Sequence, residues 1–214
     1  MPRIRSLFPF AALAAVLAYA VPAMAQTIID EWQSIKAPPA PQLTAVTVDP
    51  KTTSLLMLDF LDKNCTPNPR CVASLPVAQK LLSAARDNGL TVVHTNFPGG
   101  TVLPQVARKD VEPLITSFLD KFTRASNDGI QDTGLDKILK DKGIKTVVVI
   151  GSAANGAVLY TATSAFFHGY QTIVSVDGIS GQNPYIEQEV VYNFVSAPLM
   201  GGKVLLTRSD MVKF

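Results

Sequence analysis

The sequence predicts an α/β fold with three α/β/α layers, in which helices cover both faces of a mostly parallel sheet of five or six strands. Three observations predict it. Helical stretches alternate with short apolar runs from residue 53 to residue 207. Three of the helical stretches stop at a glycine that leads at once into a β-branched run. The runs are apolar at successive positions rather than at every second one, as in Val147, Val148, Val149 and Ile150, which is the mark of a strand covered on both faces.

The elements follow in order. Residues 26–50 hold Pro38, Pro39, Pro41 and Pro50 and predict an extended arm, with one helical turn around Ile28–Ile35. "TTSLLMLDF" is an apolar strand ending in Asp59. "LPVAQKLLSAARDNG" has helical periodicity and stops at Gly89, and "LTVVHTNF" is the next strand. "TGLDKILKDKG" and "NGAVLYTATSAFFHG" are helices stopped by Gly143 and Gly169, and they lead into the strands "IKTVVVIG" and "YQTIVSVDG". A helix over Ile186–Val195 and a strand over Lys203–Thr207 complete the set, with right-handed crossovers as the default.

The composition narrows the class. The 214 residues carry 19 Lys+Arg against 17 Asp+Glu and are 47% hydrophobic. That excludes a disordered chain and a collagen-like one. Residues 1–25 open with Arg3 and Arg5, continue through an apolar run and end in Ala23-Met24-Ala25. This is the pattern of a secretory signal peptide cleaved after Ala25, with a retained membrane anchor as the alternative. Without the two arginines the remaining chain is neutral. Nothing then favours capture of nucleic acid, or of a membrane once the signal is removed. In an oxidising compartment Cys65 and Cys71 predict a local disulfide, a reactive or metal-binding thiol being the other possibility.

Ligands of open parallel sheets bind beyond the carboxyl ends of the strands. That selects Asp59 and Phe60, Asn96 and Phe97, residues 151–155 and Asp177, with the loop of Lys121 able to join them. The turn "GSAANGAV" leads from the most buried strand into a helix whose expected N-cap is Asn155, where backbone N–H groups and the helix dipole favour negative charge. No P-loop, GxGxxG or GxSxG motif is present, and His94 and His168 have no metal-ligand spacing. His168 suits the end of a helix, whereas His94 is either structural or a pocket residue.

The segments "SLLMLDF", "DKF" before "DTGLDKILKDKGIKTVVVIG", and "GSAANGAVLYTATSAFFHGYQTIVSVDG" together resemble the isochorismatase-like cysteine hydrolase superfamily from about Thr53 to Val176. The resemblance implies the Rossmann-like isochorismatase fold over residues 51–214 and a small-molecule ligand. It also implies a homo-oligomer and no cofactor; family members that bind a metal use an Asp-x-His arrangement, and since no such motif follows Asp59 no metal is expected. It implies an Asp–Lys–Cys triad in which Asp59 is the base and Lys121 the lysine. The cysteine position falls on Ala157, whose methyl group cannot attack a carbonyl. The ligand would be bound by Phe60, Asn96, Phe97, Ala153, Ala154, Asn155, Gly156 and Tyr160. The spacing from Lys121 to the next helix is a few residues longer than in the family pattern. Three readings follow: a catalytically degenerate, ligand-binding member; a hydrolase using water or a hydroxyl such as Ser152, Tyr160 or Thr161; and an oligomeric scaffold.

Overall fold

The computed structural model describes residues 27–214. The expected signal peptide, residues 1–25, lies outside the described residues. Residues 27–38 group apart from residues 39–214. In the short segment, helix α1 (Ile28–Glu31) is a single turn whose Thr27 and Asp30 cap each other.

In the main unit the chain runs through β1 (Val46–Thr47), β2 (Thr53–Leu58), α2 (Asp62–Cys65), α3 (Pro69–Asp87), β3 (Thr91–Asn96), β4 (Leu114–Thr116), β5 (Thr123–Ser126), β6 (Gly129–Asp132), α4 (Leu135–Asp141), β7 (Thr146–Ser152), α5 (Leu159–Phe167), β8 (Gln171–Ser180), α6 (Pro184–Ser196), β9 (Leu205–Thr207) and β10 (Val212–Lys213). The central sheet has six parallel strands in the order β4-β3-β2-β7-β8-β9. β2 and β7 are buried at every position, as their unbroken apolar runs require.

Alternation along the strands sorts the core into two layers. Leu56, Leu58, Val93, Val147 and Val149 face Leu135, Leu139, Ala162, Ala165, Val190 and Phe194 of α4, α5 and α6. Leu55, Met57, Val92, Val148 and Ile150 face Leu75, Ala78, Leu81, Leu82 and Ala85 of α3. Each of the buried Val, Leu, Ile, Met and Phe side chains among these contributes about 1.5–3 kcal/mol relative to exposure. The helix stops are those expected, with Gly89, Gly143 and Gly169 all at positive φ, where a side chain would be strained.

Four features depart from the sequence reading. Helix α3 begins six residues before Leu75, because Asn68 accepts the Arg70 N–H at 3.1 Å and Pro69 occupies the first turn, where its missing N–H costs nothing. Pro76 is then accommodated inside the helix. The expected arm does not continue to residue 50: Val46 and Val48 are buried, and β1 pairs in parallel with β10. The extra length after Lys121 is an antiparallel hairpin, β5–β6. Finally, Asn155 does not cap a helix, because the chain enters α5 through a π-helical turn, Ala154–Val158, and leaves Asn155 exposed within it.

Candidate functional site

From β2 the chain steps outward through β3 to β4, and from β7 it steps the other way through β8 to β9. The crevice between the carboxyl ends of β2 and β7 is therefore the topological switch point of the sheet, where ligands of such folds bind. Asp59 follows the last residue of β2, and the turn into α5 follows β7. Gly151 lets these two strands close up, since a Cβ there would come within 2.2 Å of the Leu58 carbonyl oxygen.

Asp59 and Lys121 meet in this place. Lys121 Nζ donates to Asp59 Oδ2 at 2.7 Å, and the two residues are 0% and 2% exposed, respectively. The ammonium also donates to the Ser117 carbonyl oxygen. Asp59 Oδ1 accepts the Thr95 hydroxyl at 2.6 Å, and Thr95 Oγ1 accepts the Asp59 N–H at 3.1 Å. Asp59 has φ +49°, a left-handed conformation costly for most residues and more tolerable for aspartate. Strained, over-determined residues of this kind cluster at functional sites. Burial pushes the Asp59 carboxyl up and the Lys121 ammonium down, and the attraction between them opposes both shifts.

The loop that carries Lys121 is pinned from several sides. The Lys121 N–H donates to Thr161 Oγ1 at 3.2 Å, and the Lys121 carbonyl oxygen accepts the Thr133 hydroxyl at 2.6 Å. Next to it, Asp120 accepts the Phe122 N–H at 3.0 Å and the hydroxyls of Thr123 and Ser164 at 2.8 Å each. Thr161 lies one helical turn beyond Ala157, so this bond brings the lysine loop to the side of the turn that holds Ala157. Ala157 is 3% exposed and packs with Ala154 and Val158. The Ser152–Ala153 peptide bond that opens the turn is cis.

The remaining candidates divide. Ala153 is half-buried, Ala154 and Gly156 are buried, and these line the turn itself. Tyr160, exposed on the first turn of α5, lines a cleft of about 380 Å³ with Pro98, Ser117, Phe118, Leu119 and the hairpin residue Ile130. Phe97 stacks on Phe118 with ring centroids 6.0 Å apart. Asn96 accepts the Thr116 hydroxyl at 2.6 Å, which ties β3 to β4. Phe60 is buried with Cys65 and Cys71 in the α3 layer, so its side chain serves packing. Cys65 and Cys71 form a disulfide with Cα atoms 4.8 Å apart. Asp177 accepts the backbone N–H and hydroxyl of Ser209 and the hydroxyl of Ser175, and so it ties β8 to the C-terminal segment.

Sequence reasoning missed Thr95, Ser117 and Asn64, and offered Thr161 as a hydroxyl nucleophile rather than as an anchor of the Lys121 loop. Thr95 was within reach: it shares the strand parity of Val93 and therefore faces the α5 side, opposite to His94. Ser117 acts through its backbone carbonyl, which any residue supplies, and Asn64 through two backbone carbonyls, one of them 88 residues away, so the sequence carries no signal for either.

His94 belongs to the opposite layer. Its Nε2 lies 3.1 Å from Glu112 Oε2 without the alignment of a hydrogen bond, and Glu112 itself accepts two bonds from Arg86 at 2.8 Å. Burial pushes the imidazole down to about 4, only partly opposed by Glu112. The unfolded chain therefore takes up a proton near pH 6.5 that the folded chain refuses until near pH 4. Stability present above the unfolded value is lost as pH falls through this window, by about 3 kcal/mol in all. Urea midpoints at pH 7 and pH 4.5 check this. His94→Gln is expected to remove much of the difference, and an unchanged difference would place the acid sensitivity elsewhere.

The sequence profile of the Isochorismatase domain matches residues 53–209. The maleamate amidohydrolase of Pseudomonas putida is 32% identical over 147 residues, which make up 56% of this chain and 68% of that protein. Two solved structures share the fold. A cysteine hydrolase from Pseudomonas syringae superposes with a TM-score of 0.67 at 16% identity, covering 80% of this chain and 95% of that one. An N-carbamoylsarcosine amidase from Thermoplasma acidophilum gives a TM-score of 0.61 at 22% identity, covering 74% and 97%.

Proposed function

Since the chain belongs to the isochorismatase family, we propose that it is an exported member that binds a small carbonyl or amide compound and lacks the covalent nucleophile, with Ala157 standing where the family cysteine is expected. The observation that carries this reading is the buried Asp59–Lys121 pair at the switch point, bonded through Thr161 to the helix that Ala157 precedes.

The chemistry follows from these groups. Asp59 and Ser117 engage two of the three N–H donors of Lys121, and the remaining one suits a carbonyl or carboxylate oxygen of a ligand. In a cysteine hydrolase the carboxylate takes the thiol proton, the sulfur attacks the carbonyl carbon, and backbone N–H groups hold the resulting oxyanion. A methyl group at residue 157 removes the attacking atom and leaves the binding groups in place. Hydroxyl substitutes are poorly set. Thr161 is buried and already accepts the Lys121 N–H, and Ser152 is buried and has the strand parity of the α3 layer. Tyr160 faces the outer cleft. The disulfide accords with an oxidising compartment, and hence with export.

The test is a panel of amides, esters and vinyl ethers, with maleamate first because the P. putida relative is named for it. The expected result is no turnover, together with thermal stabilisation by the compounds that bind. A ligand at 100 times its Kd adds about 2.7 kcal/mol. Turnover that Asp59→Asn abolishes would overturn the degenerate reading in favour of attack by an activated water.

A further inference from the structure

The short segment between β2 and α3 has two asparagines whose amides reach strand ends that are distant in sequence. Asn64 Nδ2 donates to the carbonyl oxygen of Asp59 at 3.1 Å and to that of Ser152 at 3.2 Å. Asn68 Nδ2 donates to the carbonyl oxygen of Gly181 at 3.1 Å. The last paired residues of β2 and β7 are Leu58 and Gly151, and those of β7 and β8 are Ser152 and Ser180. The amides thus continue the sheet one step past its own ladders, at the point where β2 and β7 would otherwise part. The Cys65–Cys71 disulfide, with both cysteines 0% exposed, closes the loop that contains Asn68 and begins beside Asn64.

We propose that Asn64 is a positioning residue of the site: its amide clamps the Asp59 end of β2 to the Ser152 end of β7 and so sets the carboxylate against the turn that carries Ala157, with the disulfide holding the amide in place. The chemistry at this spot requires an amide. Two carbonyl oxygens converge on one nitrogen, and neither can donate, so the nitrogen must carry at least two protons, which an amide supplies without adding a charge. An aspartate there would set carboxylate against carbonyl. Asp59 has φ +49°, and its carbonyl is held by the clamp and, within its own turn, by the Leu61 N–H at 2.8 Å; the clamp is the bond that ties this carbonyl to β7, so releasing it loosens the placing of the residue that faces Lys121 against the turn of Ala157. This inference rests on the reading of Ala157 given above, because a thiol at that position is its reporter.

The experiment measures iodoacetamide alkylation against pH in the Ala157→Cys protein. The native cysteines are both bonded, so the introduced thiol is the one free to react. Asn64→Ala, Asn64→Asp and the pair Cys65→Ser with Cys71→Ser are each added to it. Asn88→Ala serves as control, since it removes a comparable amide bond, to the Ala84 carbonyl at the end of α3. Both Asn64 variants are expected to raise the half-maximal pH by about one unit and to slow alkylation near neutral pH about tenfold, because a displaced Asp59–Lys121 pair no longer favours the thiolate. The serine pair is expected to shift it in the same direction by less, and the control not at all. An unchanged pH profile in both Asn64 variants, with only a lowered Tm, would overturn the proposal and leave Asn64 as mere support. Amide hydrogen exchange on Asn64→Ala in the natural Ala157 chain decides the matter without the reporter. Faster exchange over residues 152–158, with α6 unchanged, supports the clamp, and a rise confined to residues 62–71 overturns it. If the Ala157→Cys thiol by itself titrates like free cysteine, it is the nucleophile-position reading that fails, and the exchange result still judges Asn64.

Discussion

Ala157→Cys is expected to create a thiol that alkylates about ten times faster than free cysteine near neutral pH, with its half-maximal pH below about 7.5. A free thiol is only a few per cent ionised at neutral pH, so a pKa brought down to about 7 raises the thiolate fraction roughly tenfold. Two features of the site act in that direction. The bond from the Lys121 backbone N–H to Thr161 brings the loop that carries the ammonium to the side of this turn, and the N–H groups opening α5 present the positive end of the helix dipole. One feature opposes them: residue 157 is 3% exposed and packs among Ala154 and Val158, and apolar burial disfavours thiolate. The measured profile decides which wins. Rapid alkylation would show that the charge framework of a cysteine hydrolase is intact around a single missing sulfur. Appearance of amide or ester hydrolysis in the same variant would further show that the oxyanion donors are in register. Slow, ordinary thiol behaviour would sink the assignment of Ala157 to the nucleophile position.

Lys121→Met is expected to cost about 3–5 kcal/mol of stability, the usual result of removing one partner of a buried ion pair and stranding the other. For a chain of this size that is a fall in Tm of roughly 10 °C. The physical reason is the loss of the 2.7 Å bond to a carboxylate that is 2% exposed, which leaves the Thr95 hydroxyl and its own N–H contact as the support of Asp59. The pH dependence has a definite sign. The folded-state pKa of Asp59 is already raised by burial and rises further once the cation is gone. A carboxyl with a raised folded pKa binds its proton more tightly in the folded chain. Its stabilising contribution is therefore complete below the unfolded value and is lost as pH rises through the folded one. The variant should recover toward acid pH, most clearly relative to the unaltered protein. Adding Asp59→Asn should also recover much of the loss, because no unpaired charge then remains. A Lys121→Met protein as stable as its parent across pH would mean that the pair is not buried as described.

How far the sequence could be read depended on whether a feature was local. The glycine stops at residues 89, 143 and 169 and the unbroken apolar runs of β2 and β7 are local consequences of backbone sterics and of burial on both faces, and they were legible before any coordinate. Of the short strands, β9 falls within the expected run Lys203–Thr207, but β4, also of three residues, is not foreseen, since so short a run has no periodicity to read. The pairing of β1 with β10 joins residues near 46 to residues near 212, and no local pattern announces it. At the site, Asp59 stood out because a carboxylate ending a buried strand demands a partner, and Lys121 stood out only through the family resemblance. Phe60 adjoins Asp59 in the chain, but its side chain packs in the α3 layer, because successive residues point to opposite sides of the sheet. Asn155 suggested a helix cap because the sequence gives no sign of the π-helical turn that moves it outward.

By itself, then, the order of residues determined the layers, the central strands, the helix ends and the chemical identity of the carboxylate and the ammonium. Folding in three dimensions decided that these two charges meet, since Lys121 lies 62 residues from Asp59 and only the packing of its loop against α5 brings them within 2.7 Å. It also decided the role of Asn64, whose two acceptors, Asp59 and Ser152, lie 5 and 88 residues from it along the chain. Local sterics act over three or four residues and are written in the sequence. Hydrogen bonds across the sheet depend on where distant segments come to rest, and they exist only once the core has fixed those positions.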